Sequence, residues 1–432
     1  MEDRRKIAQG AIQKLLEAGG DKAQCKAVMK ETKEFNVNGG VFSLFRTLFD
    51  KSLTLAVIKD HKVGNVSINR FDEESVGNAV AECIQVAEFG NKDEAFDIAP
   101  NVGEHTLKQG IIEPDIDKLF QRTKELVENI EERHPKIIIE EMVVTHEKEQ
   151  ICYLNSNGTS MDLEKGKYQV SLVYSAHEGE RNSSFYGSEV DVDNLDRPFI
   201  ELGLIERELS EVERQIDTIP VDDNFTGTII VSPGCLGSLL QSMVSNFVSD
   251  QVLLDGTSIW KDKIGQKVAD ERLTISLKPK DPRIVCGECI TSDGFLSQDY
   301  DLIKEGVLES FALSLYVANK TGQAPAKNRG LNLVIEPGDT PLEEMIAGIT
   351  KGIIVSRFSG GNPSANGEFS GVAKNSFMIE DGKITNPISE TMINGNLADL
   401  LNHIVAISQE TLVDGTCVLP YIAFDNVVIS GK

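Results

Sequence analysis

The segment 359–371 packs four glycines and a proline between two strand-like runs, 352–355 and 372–379. Glycine opens backbone angles closed to other residues and lets another chain approach closely. Such a segment can cradle a phosphate, receive an extended peptide, or simply reverse the chain. A phosphate cradle needs Lys-Ser/Thr after the glycines and then a helix, whose first N–H groups meet the anion. Here Phe369 to Phe377 read as strand, and no Lys-Ser/Thr pair follows. The sequence therefore predicts a loop between strands. It is either a plain reversal or one shaped for backbone pairing with a peptide.

With 432 residues the chain is long enough for two or three domains with sizeable cores. Against 68 acidic residues stand only 43 basic ones, a formal net charge of −25. That field repels nucleic acid and anionic membranes, and no dense Lys/Arg run offsets it. No stretch approaches the roughly 20 apolar residues of a membrane span. The N-terminal pattern of Ile7, Ala11 and Leu15 is that of an amphipathic helix rather than a signal peptide. The expectation is a cytoplasmic protein with neither nucleic acid nor membrane as partner. Seven scattered cysteines, an odd number, read as reduced thiols, with Cys83 in the core.

The pattern of elements predicts an α+β fold: an α+β region over 1–218, with a secondary break near 91–113, then a β-rich domain with a few packed helices over 219–432. Leu53, Leu55 and Val57 alternate with small or polar residues, as in a half-buried strand. Asp72 offers a cap for a helix carrying Val76, Val80, Cys83, Ile84 and Ala87 and ending at Gly90. Residues 91–113 read as a polar connection. A helix follows Pro114, with Leu119, Thr123, Leu126, Val127 and Ile130 on one face. Asn157-Gly158 signals a hairpin, and Tyr168, Val170, Leu172 and Tyr174 mark a half-buried strand. A charged helix is expected over about 195–217. In the second region Thr226 to Val231 reads as strand. Ser232-Pro233 then gives an N-cap with proline at the first helical position. Further helices are expected near 341–350 and after Asn396, the latter carrying Leu397, Leu400, Leu401, Ile404 and Val405.

Visible chemistry is sparse. Cys286-Gly287-Glu288-Cys289 is half of a zinc site, and no second pair or histidine cluster completes it. Its flanks read as strand, whereas a redox pair sits at a helix start. His146-Glu147 and His177-Glu178 have no second histidine three to five residues on, and strand or turn contexts keep ligands from converging. His403 falls off its apolar stripe. No Gly-x-Ser-x-Gly elbow occurs.

A train of motifs sharpens this reading. Asp293-Gly294 and 302–308 come first, then 348–355 and the glycine loop. Gly371-Val372-Ala373, 379–384, 387–390 and Gly395-Asn396-Leu397 follow. In that order they resemble the C-terminal region of the TldD/PmbA family, once called "modulator of DNA gyrase". The likeness covers most of 219–432 and extends more weakly over the first region.

The resemblance implies a dimeric, cytosolic metalloprotease acting on small or unfolded peptides. Its TldD type carries His-Glu-x-x-x-His at a helix start and a cysteine near the C-terminus. The histidines hold zinc, and the glutamate is general base toward zinc-bound water. In this chain Pro233 and Ser238 stand where the histidines would be, Gly234 where the glutamate would be, and Asp414 where the cysteine would be. The resemblance is therefore to the PmbA (TldE) type. It implies no metal in this chain and zinc in a TldD-type partner, joined as a heterodimer, with a homodimer as the alternative. Gly360, Gly361, Ser364, Asn366 and Gly367 are the candidate peptide-channel residues. Two other readings stand beside this one: a non-enzymatic peptide-binding homodimer, and a hydrolase with an unrecognised site.

Overall fold

The protein is described here from a computed structural model covering residues 2–431. Two long hairpins form the heart of its first sheet. β1 (Lys22–Asn38) turns into β2 (Val41–Lys59), and β3 (Lys62–Ile68) returns along the end of β2. After β4 (Glu104–Gly110), β5 (Ile137–Asn155) turns through Asn157-Gly158 into β6 (Ser160–Glu178). Gly158 takes φ 100°, and Asn155 Oδ1 accepts from the Asn157 and Thr159 N–H groups, which fixes the turn. Strand order is β3-β2-β1-β5-β6-β4, and only β4 runs parallel to its neighbour β6.

Helices cover one face in two groups. α1 (Glu2–Glu17) brings Ala8, Ala11 and Leu15, and α2 (Glu73–Phe89) brings Val76, Val80 and Cys83. Both pack on Leu53, Leu55 and Val57. Asp72 caps α2 by accepting from Ser75 N–H, and Gly90 ends it. α3 (Ile116–Arg133) and α4 (Ile205–Glu213) bury Leu119, Leu126, Ile130, Leu209 and Val212 against Val144, Val170, Leu172 and Tyr174 at the other end.

The second sheet draws its strands from 219–430. Strand Phe225–Val231 pairs antiparallel with Val418–Ser430 and parallel with Lys351–Val355. α5 (Pro233–Met243) follows it and packs Leu236, Leu239, Leu240 and Met243 into the largest core, with Phe247 and Trp260. The α+β class is as the pattern implied, with a β-rich second half. No helix among the described residues is long and apolar enough to cross a membrane.

Several local expectations give way. The connection 91–113 contains β4, whose Leu107 alternates with polar residues too weakly to announce a strand. The helix expected over 195–217 is a short 3-10 turn, Phe199–Glu201, followed by α4 alone. Gly203 at φ 54° separates them. After Asn396 the helix lasts only Leu397–Leu400, because Ile404 and Val405 belong to strand Ile404–Val413. Their helical spacing was a coincidence of two elements. The run 372–379 is two strands, Glu368–Lys374 and Ser376–Glu380, broken at Asn375, which takes φ 51°. The flanks of Cys286 and Cys289 are turns rather than strands, apart from a single bridge between Ile290 and Leu296.

α2 rides directly on β3. A Cβ at Gly64 would lie 2.0 Å from the Cys83 carbonyl oxygen and 2.8 Å from Ala87 N. Gly64→Ala should therefore lower stability by about 1–3 kcal/mol through overpacking against backbone. Denaturant unfolding measures this, and an unchanged midpoint would show that α2 can lift off β3 freely.

Candidate functional site

The start of α5 is built by a sharp change of direction. Strand Phe225–Val231 ends buried, Ser232 stays extended at φ −68° and ψ 157°, and Pro233 presets the first helical φ. Ser232 does not cap the helix with its side chain, contrary to expectation. Its hydroxyl donates to the Ser356 carbonyl at 3.2 Å instead, tying the helix start to the chain before the glycine loop. Pro233 and Cys235 are buried, while Gly234 and Ser238 are exposed, one turn apart on the open face. Burial pushes the Cys235 thiol up to about 12, so it is a core thiol and no nucleophile.

Behind this helix start lies a polar cluster that no sequence motif signals. Ser188 Oγ donates to Glu208 Oε2 at 2.6 Å, and the Tyr186 hydroxyl donates to Oε1 at 3.3 Å. The Tyr174 hydroxyl lies 3.0 Å from Ser188 Oγ and completes the chain as donor. A Cβ at Gly234 would meet only the Tyr186 hydroxyl, at 3.7 Å. Burial drives the Glu208 carboxyl up to about 7, against the hydrogen bond from Ser188, which pulls it down. Glu208 sits on α4 and the tyrosines on strands of the first sheet, so only the folded chain unites them.

The glycine loop is the tip of a hairpin between strands Arg357–Ser359 and Glu368–Lys374. Gly360, Gly361 and Gly367 all take positive φ. A Cβ on Gly361 would fall 1.6 Å from the Ser370 carbonyl oxygen, so this position requires glycine. The loop's polar groups largely serve the loop itself. Ser364 N–H and Oγ both donate to the Glu368 carbonyl, and Asn246 Nδ2 holds the Pro363 carbonyl at 2.8 Å. The Gly367 carbonyl accepts from Leu397 N–H at 2.7 Å. Gly360, Gly361, Ser364 and Asn366 remain exposed, while Gly367 is buried.

Arg357, at the base of this hairpin, reaches the first sheet. It donates to Ser184 Oγ at 2.8 Å and to Asn375 Oδ1 at 3.2 Å, and stacks over the exposed Phe185 ring. It has no carboxylate partner among the described residues, and burial pushes its pKa down. A separate cleft of about 460 Å³ opens between the sheets, lined by Lys165, Lys167, Asp191, Cys286, Cys289 and Thr416. Cys286 takes φ 53° and donates its thiol to the Gly166 carbonyl. Burial raises both thiols despite the nearby Lys165. Asp414 neighbours two residues of this cleft, Asp191 and Thr416; its carbonyl accepts from Asp191 N–H at 2.7 Å. Its Oδ1 accepts from Thr416 N–H, Thr416 Oγ1 and Cys417 N–H, and its Oδ2 from the Cys417 thiol. No hydrogen bond or ion pair links Asp414 to the α5 start among the described residues. His146 is buried with one nitrogen 2.7 Å from the Ile111 carbonyl, whereas His177 lies 2.8 Å from Ser175 Oγ on the far part of β6. His403 is exposed, in the turn after the short helix.

Comparison with known proteins fits this geometry. Residues 225–431 match the PmbA/TldA metallopeptidase C-terminal domain. A metalloprotease PmbA homolog of Haemophilus influenzae is 22% identical over 407 residues, 89% of this chain and 86% of that one. The chain is PmbA/TldE-like along most of its length, and its residues 225–431 carry the family's C-terminal domain. A metalloprotease of Methanothermobacter thermautotrophicus is 28% identical over 204 residues, only 42% of either chain. TldE from Thermococcus kodakarensis shares the fold with a TM-score of 0.85 at 22% identity, over 98% of this chain and all of that one.

This chain, then, places a titratable carboxyl beneath the α5 start. Its linkage has a definite sign. Below about pH 4.5 both folded and unfolded chains hold the Glu208 proton. As pH rises toward about 7 the unfolded chain loses it first, so stability falls across that window. Glu208→Gln should abolish this component. The stability difference between wild type and variant should shift by about 1–3 kcal/mol against wild type between pH 4.5 and 7. A difference that stays flat with pH would show the carboxyl to be solvated.

Proposed function

We propose that this chain is the non-zinc subunit of a cytoplasmic metalloprotease that cleaves small or unfolded peptides, working with a TldD-type chain that carries the zinc. The observation that supports it most is the chemistry at four positions. Pro233 and Gly234 offer no side-chain donor, and Ser238 offers only a hydroxyl. Both Asp414 oxygens already accept hydrogen bonds from their own turn. Neither a zinc ligand set nor a general base fits there.

In this reading the chain contributes shape. Residues 1–218 and 219–432 act as two domains, and the hairpin tip with Gly360, Gly361, Ser364, Asn366 and Gly367 borders a peptide channel completed by the partner. A strand-edge channel recognises backbone and so accepts many unfolded sequences. The fold and the names of its relatives support this role.

Co-expression with a TldD-type chain from the same genome tests the proposal. A stable heterocomplex should form, and peptide cleavage should require both chains. Full cleavage by the partner alone, or a partner that never co-purifies, would refute it. Gly361→Ala should leave the complex intact but reduce peptide turnover at least about tenfold, since the Cβ displaces the tip. Unchanged turnover would remove the tip from the channel.

A further inference from the structure

Arg357 is held in place by neutral groups from both sheets. Its Nε donates to Asn375 Oδ1 and its Nη2 to Ser184 Oγ, while Asn375 Nδ2 donates to the Ser184 carbonyl at 3.4 Å. Asn375 is buried and takes φ 51°, at the break between strands Glu368–Lys374 and Ser376–Glu380. The Phe185 ring lies against the guanidinium, its centroid 4.5 Å from Cζ. Nη1 makes no hydrogen bond among the described residues. A guanidinium carries five N–H donors in a planar fork, so several remain unassigned.

A half-buried cation is costly without an opposite charge beside it. Acidic residues outnumber basic ones by 68 to 43 here, yet none of those described pairs with Arg357. Burial lowers its pKa, and of its neighbours only the Tyr186 phenol works the other way. Ser184 and Phe185 also line an open hollow of about 580 Å³ with Val173, Ser175 and His177. The carboxylate of that hollow, Glu140, accepts from Ser175 Oγ at 2.5 Å and lies 3.9 Å from His177 Nε2, so it is engaged on its own strands. Phe185 is 58% exposed and sets an apolar surface directly beside the cation. An uncompensated guanidinium and an open aromatic ring together suit a ligand that is anionic at one point and apolar next to it.

We propose that Arg357 receives the terminal carboxylate of a peptide whose last residue is apolar, with Phe185 taking that residue's side chain. A planar guanidinium matches a carboxylate through two parallel N–H···O bonds. The net charge of −25 weighs against a polyanion and costs a single carboxylate far less. Arg357 opens the hairpin that carries the glycine tip, and Ser356 before it is bonded to Ser232 at the α5 start. A peptide end anchored there lies at the foot of the hairpin assigned to the channel. Arg357 then selects substrate and takes no part in bond breaking. The inference names the substrate end that the channel reads, and it rests on the peptide-channel reading above.

Calorimetric titration of the purified full chain with an N-acetylated tripeptide ending in phenylalanine, as free acid and as C-terminal amide, tests this. The acid should bind at least about tenfold more tightly than the amide. Arg357→Gln should bring the two to equal affinity, and Arg357→Lys should keep part of the difference. Phe185→Ala should weaken acid and amide together. Acid and amide bound alike by wild type, binding of neither, or a preference that survives Arg357→Gln would overturn the proposal. So would an amide ending in aspartate that binds as well as the acid, since the site would then read side-chain carboxylates. The wild-type comparison decides the matter even where Arg357→Gln fails to fold. Failure of the subunit reading is distinguishable: an intact acid preference with no TldD-type complex refutes that reading alone. A two-chain peptidase indifferent to the terminal carboxylate refutes this inference alone.

Discussion

Strand Val418–Ser430 hydrogen-bonds to four other strands, and the second half of the molecule is organised around it. It buries Leu419, Tyr421, Ile422, Phe424 and Ile429 almost completely. Its pairing with Phe225–Val231 fixes where that strand ends and hence where α5 begins. Burial of its apolar side chains supplies the driving force. The ladder supplies the direction, since a one-residue slip would turn those side chains to the wrong face.

That placement sets the α5 start between two constraints. Beneath it Tyr186 and Glu208 fix a polar floor. Beside it Ser232 is bonded to Ser356, only a few residues ahead of the hairpin with the glycine tip. The helix start, the tip and the first sheet are thus one mechanical unit, with Arg357 bridging to Ser184.

Much of this was legible in the sequence where one element carried the whole signal. The alternation of Leu53, Leu55 and Val57, the Asp72 cap and the Asn157-Gly158 turn are local and strong. The reading failed where two elements shared one pattern. Ile404 and Val405 continued a helical spacing into a strand, and Gly203 cut a helix that its charge pattern had extended. At the site, the loop's backbone demands were visible in its glycines. The Tyr174–Ser188–Glu208–Tyr186 chain was not, because its members come from separate elements and only tertiary packing gives them a common role.

The central claim is that this chain shapes a proteolytic site without holding its metal. Zinc titration of the isolated chain, followed by calorimetry and by elemental analysis after dialysis, tests it most directly. The account predicts no stoichiometric zinc. One tightly held zinc per chain, lost on replacing residues at the α5 start, would contradict it.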